Sequence, residues 1–232
     1  MGTRREVADH DHDRGRDAAL AALAASTCRD PHRLLGVHND RGQVVVRSWW
    51  PGATTATLGG RPMRRIHDAG VFEVLLDAEL EPGYAVTFRW DGGGEHTVVE
   101  PWAFWPTLGD VDLHLIGEGR HDRLWTVLGA HNREHQGTEG TEFAVWAPAA
   151  QAVRLVGDWN GWDSRVHPLR AIGVSGVWEI FVPEARPGHR YKFEILGADG
   201  ETRLRSDPFA QATEVPPANA SVIYRSAYEW AD

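Results

Sequence analysis

Short alternating runs, rather than long helical stripes, dominate the hydrophobic pattern of this chain. Val153, Leu155 and Gly157 alternate with Arg154 and Val156, the period-two pattern of a half-buried strand. Comparable runs in the first half are Gln43 to Trp49, Thr54 to Leu58, Val71 to Leu76, Tyr84 to Trp90 and Thr97 to Glu100. In the second half they are Thr141 to Trp146, Ala152 to Val156, Val177 to Val182, His189 to Leu196, Glu201 to Arg205 and Ser221 to Tyr224. Strands this short, punctuated by Pro-Gly and Asp-Gly, predict an all-β protein built as antiparallel sandwiches. Asp199-Gly200 between two such runs predicts a hairpin. Two stretches depart from the pattern. The Ala- and Leu-rich run from Asp17 to Ser26 predicts one short helix, N-capped by Asp17 and stopped by Asp30-Pro31. From Asp112 to Leu128, the spacing of Leu113, Leu115, Leu124, Val127 and Leu128 predicts an extended approach followed by a single helix between the two halves.

The pattern also repeats. Leu35-Gly-Val-His38 returns as Leu128-Gly-Ala-His131, and Trp49-Trp-Pro51 as Trp146-Ala-Pro148. Gly70-Val-Phe-Glu73 returns as Gly176-Val-Trp-Glu179, Pro82-Gly83 with Phe88 as Pro187-Gly188 with Phe193, and Pro101-Trp-Ala103 as Pro208-Phe-Ala210. Five matches in one order, with slowly drifting offsets, predict two tandem copies of one domain. The boundaries that follow are a disordered tail over 1–16, a first sandwich with its leading helix over 17–106, and a linker with a helix over 107–131. A second sandwich covers 132–226, and 227–232 begins a further linker.

One stretch breaks the repeat. The second copy carries Val156-Gly-Asp-Trp-Asn-Gly-Trp-Asp163 where the first has Leu58-Gly-Gly-Arg-Pro-Met63. Asn160-Gly161 marks a tight turn, since Gly supplies positive φ and Asn tolerates it. A turn that only one copy keeps is optional for the fold, which points to function. An indole at a loop tip can stack on the apolar face of a sugar ring while neighbouring amides bond its hydroxyls. Trp162 reads either as such a platform or as an anchor of the sheet edge; Trp159 is placed in the core.

Composition narrows the ligand. A formal net charge of -9 argues against nucleic acid or an anionic membrane as partner and leaves a neutral glycan as the better fit. The lone Cys28 excludes an internal disulfide or a Cys-based zinc site. Asp9-His-Asp-His-Asp13 reads as a solvated tail in place of a metal site, because no further ligands follow at a defined spacing. No cofactor is expected. The absence of an 18-residue apolar run and of a signal-peptide order points to the cytoplasm.

Phe143-Ala-Val-Trp-Ala-Pro148, the Val-Gly-Asp-Trp-Asn-Gly-Trp-Asp163 turn, Gly176-Val-Trp-Glu179, Tyr191-Lys-Phe193 and Ser206-Asp-Pro208 together resemble a family-48 carbohydrate-binding module. Asp112-Leu-His-Leu-Ile-Gly-Glu-Gly119, Arg123-Leu-Trp125 and Leu128-Gly-Ala-His131 are similar to the segment joining the two N-terminal domains of bacterial glycogen branching enzymes. Asp30-Pro-His32 and Leu35-Gly-Val-His38 sit where that family's first domain begins. The resemblance implies two tandem immunoglobulin-like β-sandwiches ahead of a catalytic barrel that cuts an α-1,4 glucan and rejoins it through an α-1,6 bond. Such a barrel takes about 250 residues. None is expected here, so no catalytic residue is assigned and the chain alone is expected to be inactive. The implied glucan-facing residues are Trp162 as platform, Lys192 as donor to hydroxyls, Asn160 and Asn219. Lys192 also reads as an ordinary exposed strand residue. After Asp199-Gly200, glycogen-sensing members carry a second Trp where this chain has Glu201-Thr-Arg-Leu-Arg205. The partners implied are α-glucan and the catalytic barrel; a free-standing glycan-binding or regulatory adaptor is the other reading.

Overall fold

The computed structural model describes residues 15–40 and 42–226. The acidic His-containing tail at 9–13 and the expected linker start at 227–232 lie outside the described residues. The chain divides between Ala103 and Phe104 into two compact units.

The first unit opens with helix α1, helical from 15 to 24 among the described residues, so Asp17 lies within the helix and does not cap it. Seven strands follow: β1 (Gly36–Asp40), β2 (Gln43–Trp49), β3 (Thr55–Leu58), β4 (Arg61–His67), β5 (Val71–Leu76), β6 (Ala85–Arg89) and β7 (Glu95–Val99), in the order β1-β2-β5-β4-β3-β6-β7. β4 turns the corner. Its start pairs with β3 through Leu58↔Arg61 and Ala56↔Met63, and from Arg64 onward it pairs with β5, with a shift of register between Arg65 and His67. An irregularity of this kind bends a strand, so the path folds over a shared core of Val46, Phe72 and Val74 from one side and Ala56, Val86, Phe88 and Val98 from the other.

The second unit contains α2 (Asp110–Gly117) and strands β8 (Gly129–His135), β9 (Thr138–Trp146), β10 (Ala152–Gly157), β11 (Arg170–Ala171), β12 (Val177–Val182), β13 (Arg190–Leu196), β14 (Thr202–Arg205), β15 (Ala212–Thr213) and β16 (Ser221–Val222). One sheet runs β10-β13-β16-β15 with β14 also on β13; the other runs β11-β12-β9-β8. Phe143, Trp178 and Ile180 from one sheet meet Val153, Leu155, Tyr191 and Phe193 from the other. The all-β architecture is as the alternating runs predict. The helix order is not. α2 comes first, a 3-10 turn at Leu124–Thr126 follows, and Ile116, Leu128 and Leu108 cluster with Ala144 and Val177 of this unit. The apolar positions of 107–131 therefore serve the second unit's packing in place of a free linker.

The duplication holds residue by residue. His38 Nε2 lies 2.9 Å from Leu35 O, and His131 Nε2 3.0 Å from Leu128 O. Trp49 Nε1 donates to Ala69 O at 3.0 Å, and Trp146 Nε1 to Ser175 O at 3.2 Å. Gly36 and Gly129 both adopt positive φ, and a Cβ on either would meet the backbone oxygen of the repeated Pro-aromatic-Ala corner, Trp102 at 2.4 Å and Phe209 at 3.1 Å. Arg64 pairs across strands with Glu73, and Arg170 with Glu179. The leading helices repeat as well: Pro31–Arg33 and Leu124–Thr126 form matching 3-10 turns, each closed by two bonds to its first carbonyl.

Candidate functional site

β10 ends at Gly157 and the chain makes one 3-10 turn, Asp158–Asn160, before reversing. The positive φ values fall on Gly161 and Trp162, both at 62°, and not on Asn160. For a tryptophan the left-handed region costs about 1–2 kcal/mol, so the surrounding bonds must hold it there. Trp162 N donates to Gly157 O at 3.1 Å, and its Nε1 donates to Asp158 Oδ1 at 3.1 Å. Trp162 as a whole is 37% exposed. Trp159 turns the other way, stacked between Phe143 (5.3 Å between centroids) and His189 (6.0 Å).

Asn160 requires a correction. It is 7% exposed, its Oδ1 accepts from Gly157 N at 3.0 Å, its Nδ2 donates to Leu155 O at 3.0 Å, and His167 Nδ1 lies 2.9 Å away. Its amide is spent on tying the loop to β10, and it presents nothing to a ligand.

The β10–β13 register, Val156↔Lys192 and Gly157↔Tyr191, brings Asp158 opposite Arg190. Tyr191 and Phe193 point into the core, so Arg190, Lys192 and Glu194 lie on the outer face with the Trp162 loop at its edge. Arg190 grips Asp158 through its own backbone N (2.8 Å), Nε (3.1 Å) and Nη2 (2.9 Å), and its Nη1 reaches Glu214 Oε1 at 3.2 Å. Glu214 also accepts from Ala220 N at 3.0 Å, beside Asn219, whose side-chain oxygen accepts from Lys192 Nζ. Three sequence-assigned residues, Trp162, Lys192 and Asn219, thus belong to one linked surface. The sequence reading missed the groups that link them, Asp158, Arg190 and Glu214. Asp158 sits inside the Trp motif and Arg190 two residues before Lys192, so alternation on β13 carried a signal for both. Glu214, in a polar stretch, carried none.

The side-chain bond from Arg190 is the first cause that holds Asp158 low, at about 2, aided by the Arg190 amide and Trp162 Nε1. Glu214 is lowered by the Ala220 amide and then by Arg190. A depressed carboxyl stabilises its folded arrangement above the ordinary aspartate value near 4 and loses that contribution as pH falls through about 2. The Trp162 indole N–H resonance is therefore expected to stay fixed from neutrality to pH near 4 and to move together with the Asp158 carboxyl only near pH 2; movement centred near 4 would break the link between them. Among the described residues there is no cluster of three or more His, Cys, Asp or Glu able to hold a metal, and no helix is long and apolar enough to cross a membrane.

Residues 127–210 match the family model of carbohydrate-binding module 48 (isoamylase N-terminal domain), and residues 16–102 match that of the alpha-1,4-glucan branching enzyme GlgB N-terminal domain. The chain is 46% identical over 213 residues to 1,4-alpha-glucan branching enzyme GlgB 1 of Streptomyces coelicolor, covering 90% of this chain and 27% of that protein. To the GlgB of Myxococcus xanthus it is 45% identical over 223 residues, covering 93% of this chain and 30% of that protein. The chain thus spans less than a third of the length of these relatives.

Proposed function

We propose that this chain, whose two halves match the GlgB N-terminal domain and carbohydrate-binding module 48 in that order, is the non-catalytic, glucan-docking region of a 1,4-alpha-glucan branching enzyme. Its second unit holds a chain of glycogen or a maltooligosaccharide against the Trp162 face. Both units pack against and position a catalytic barrel that transfers α-1,4 segments to α-1,6 branch points in the cytosol.

The observation that carries this reading is Trp162: an exposed indole in a strained backbone conformation, its N–H fixed by Asp158, beside a Lys192–Asn219 pair. Strain that neighbours maintain at an exposed aromatic favours a ligand-facing role over packing. The ring face takes the apolar face of a glucosyl unit, while Lys192 and Asn219 offer a donor and an amide to its hydroxyls. Leu204, opposite Glu194 on β14 and 46% exposed, adds apolar surface where a second indole is missing.

Stacking on a single ring is worth about 1–3 kcal/mol, judged from bases on aromatic side chains. Maltoheptaose is therefore expected to quench the protein's tryptophan fluorescence with roughly millimolar affinity, and Trp162→Ala to weaken it roughly ten- to hundredfold. An undiminished response in the variant would remove Trp162 from the site.

A further inference from the structure

The second unit holds an open pocket of about 250 Å3 beside α2 and the 3-10 turn that follows it, lined by Ile116, His121, Leu124, Leu128, Trp146 and Phe209. The duplication shows the same place closed. In the first unit the counterparts Leu23, Cys28, Leu35, Trp49 and Trp102 form one buried cluster. Even the bend after the helix repeats, since Ser26 and Gly119 both adopt positive φ, 59° and 66°.

The local backbone thus recurs, and the filling differs. Phe209 is smaller than Trp102, which packs on Trp49 with ring centroids 6.2 Å apart. His121 stands where the first unit has Cys28, and its Nε2 lies 3.0 Å from Asp112 Oδ1. Trp146 is left 54% exposed where Trp49 is buried. An unfilled apolar hollow costs stability, and the first unit shows that this fold can cover the one indole with a second. The opening is therefore a property of the site and not of the architecture.

We propose that this pocket is a second glucan site, which takes one glucosyl ring against Trp146. The inference rests on the reading of the chain as a glucan-docking region. Trp146 is anchored as Trp162 is: its Nε1 donates to Ser175 O at 3.2 Å, so the N–H is occupied and the apolar ring is left for a ligand. Apolar and aromatic walls with a few polar groups are the ordinary make-up of a small-molecule site, and here His121 with its Asp112 partner supplies the polar side. His121 is the one ionisable residue among the described residues of the lining, and it faces Asp112, so nothing there selects a charged ligand. A hollow of about 150 Å3 holds a benzene ring; the larger volume here leaves room for the hydroxyls of a six-membered sugar. Trp146 ends β9 in one sheet and Trp162 follows β10 in the other, which makes the two sites separate.

Indole N–H resonances of the full chain, followed during titration with maltotriose, test this. Those of Trp146 and Trp162 are both expected to move saturably at roughly millimolar sugar. In Phe209→Trp, which restores the filler of the first unit, the Trp146 shift is expected to be lost and the Trp162 shift kept. Trp146→Ala, at an exposed position, is expected to keep the thermal midpoint of the parent and the Trp162 shift, while the Phe209 ring resonances, which move in the parent, stay still. An unmoved Trp146 beside a moving Trp162 would overturn the second site and leave the proposed function standing; if neither moves, both fall. Binding of free indole with Trp146 unmoved by maltotriose would mark an anchor pocket for an apolar side chain and overturn the sugar assignment, as would a Trp146 shift that persists in Phe209→Trp.

Discussion

Glu179→Ala is expected to destabilise the second unit by about 3–5 kcal/mol, the cost of removing one partner from a buried ion pair. Glu179 is fully buried on β12 and accepts from Arg170 Nε at 2.8 Å, Thr107 Oγ1 at 2.7 Å and Thr107 N at 3.0 Å. Arg170, itself buried, donates in turn to Phe104 O at 3.1 Å. One carboxylate thus neutralises a buried guanidinium and pins the segment entering α2. Without it the cation has no counter-charge, and the backbone and hydroxyl donors of Thr107 lose their acceptor. The sister residue provides the control. Glu73 also bridges two arginines, but Arg64 is largely exposed and Arg47 keeps Asp40. Glu73→Ala is therefore expected to cost distinctly less. Urea midpoints of the two variants decide this, and equal midpoints would refute the account of the buried pair.

Gly157→Ala is the second large effect, expected to cost about 3 kcal/mol, at the upper end for overpacking. Gly157 has φ of -174°, extended backbone open to any residue, so its glycine is a matter of space. A Cβ there would lie 2.4 Å and 2.6 Å from Trp159 Cζ3 and Cη2 and 2.7 Å from Arg190 O. Neither neighbour can yield cheaply: Trp159 is stacked between Phe143 and His189, and Arg190 begins the central strand. Relief must come from moving the loop, which carries Trp162 with it. The variant is expected to lose both thermal stability and the maltoheptaose response. A stable Gly157→Ala chain that still responds would show that the Trp159 contact does not hold the platform.

Where the sequence reading of the fold fell short, the cause is visible in the strands concerned. β1 and β8 are the outermost strands of their sheets, and in Gly36–Asp40 only Gly36 is buried, so no apolar alternation announces either of them. β4 holds three arginines and a proline and buries Met63 alone, because it spans a corner and has little core face to fill. Trp49 and Trp146 occupy the same repeat position with the same indole bond, yet Trp49 packs against Trp102 at 6.2 Å and is buried, while Trp146 is 54% exposed. Identical letters take opposite environments because the neighbour that covers one differs for the other.

By itself the sequence determined the all-β class, the duplication, the placement of Trp159 in the core and the resemblance to branching-enzyme N-terminal domains. These rest on periodicity, turn residues and order along the chain, all of them local properties of a polymer. Only the tertiary structure decided which polar groups face outward together. It turned Asn160 inward, joined Lys192 to Asn219, and set Asp158 against Arg190 from 32 residues away. That last pairing follows from the antiparallel register of β10 and β13, and register is fixed by the burial of one whole face of a sheet, which no single stretch of sequence contains.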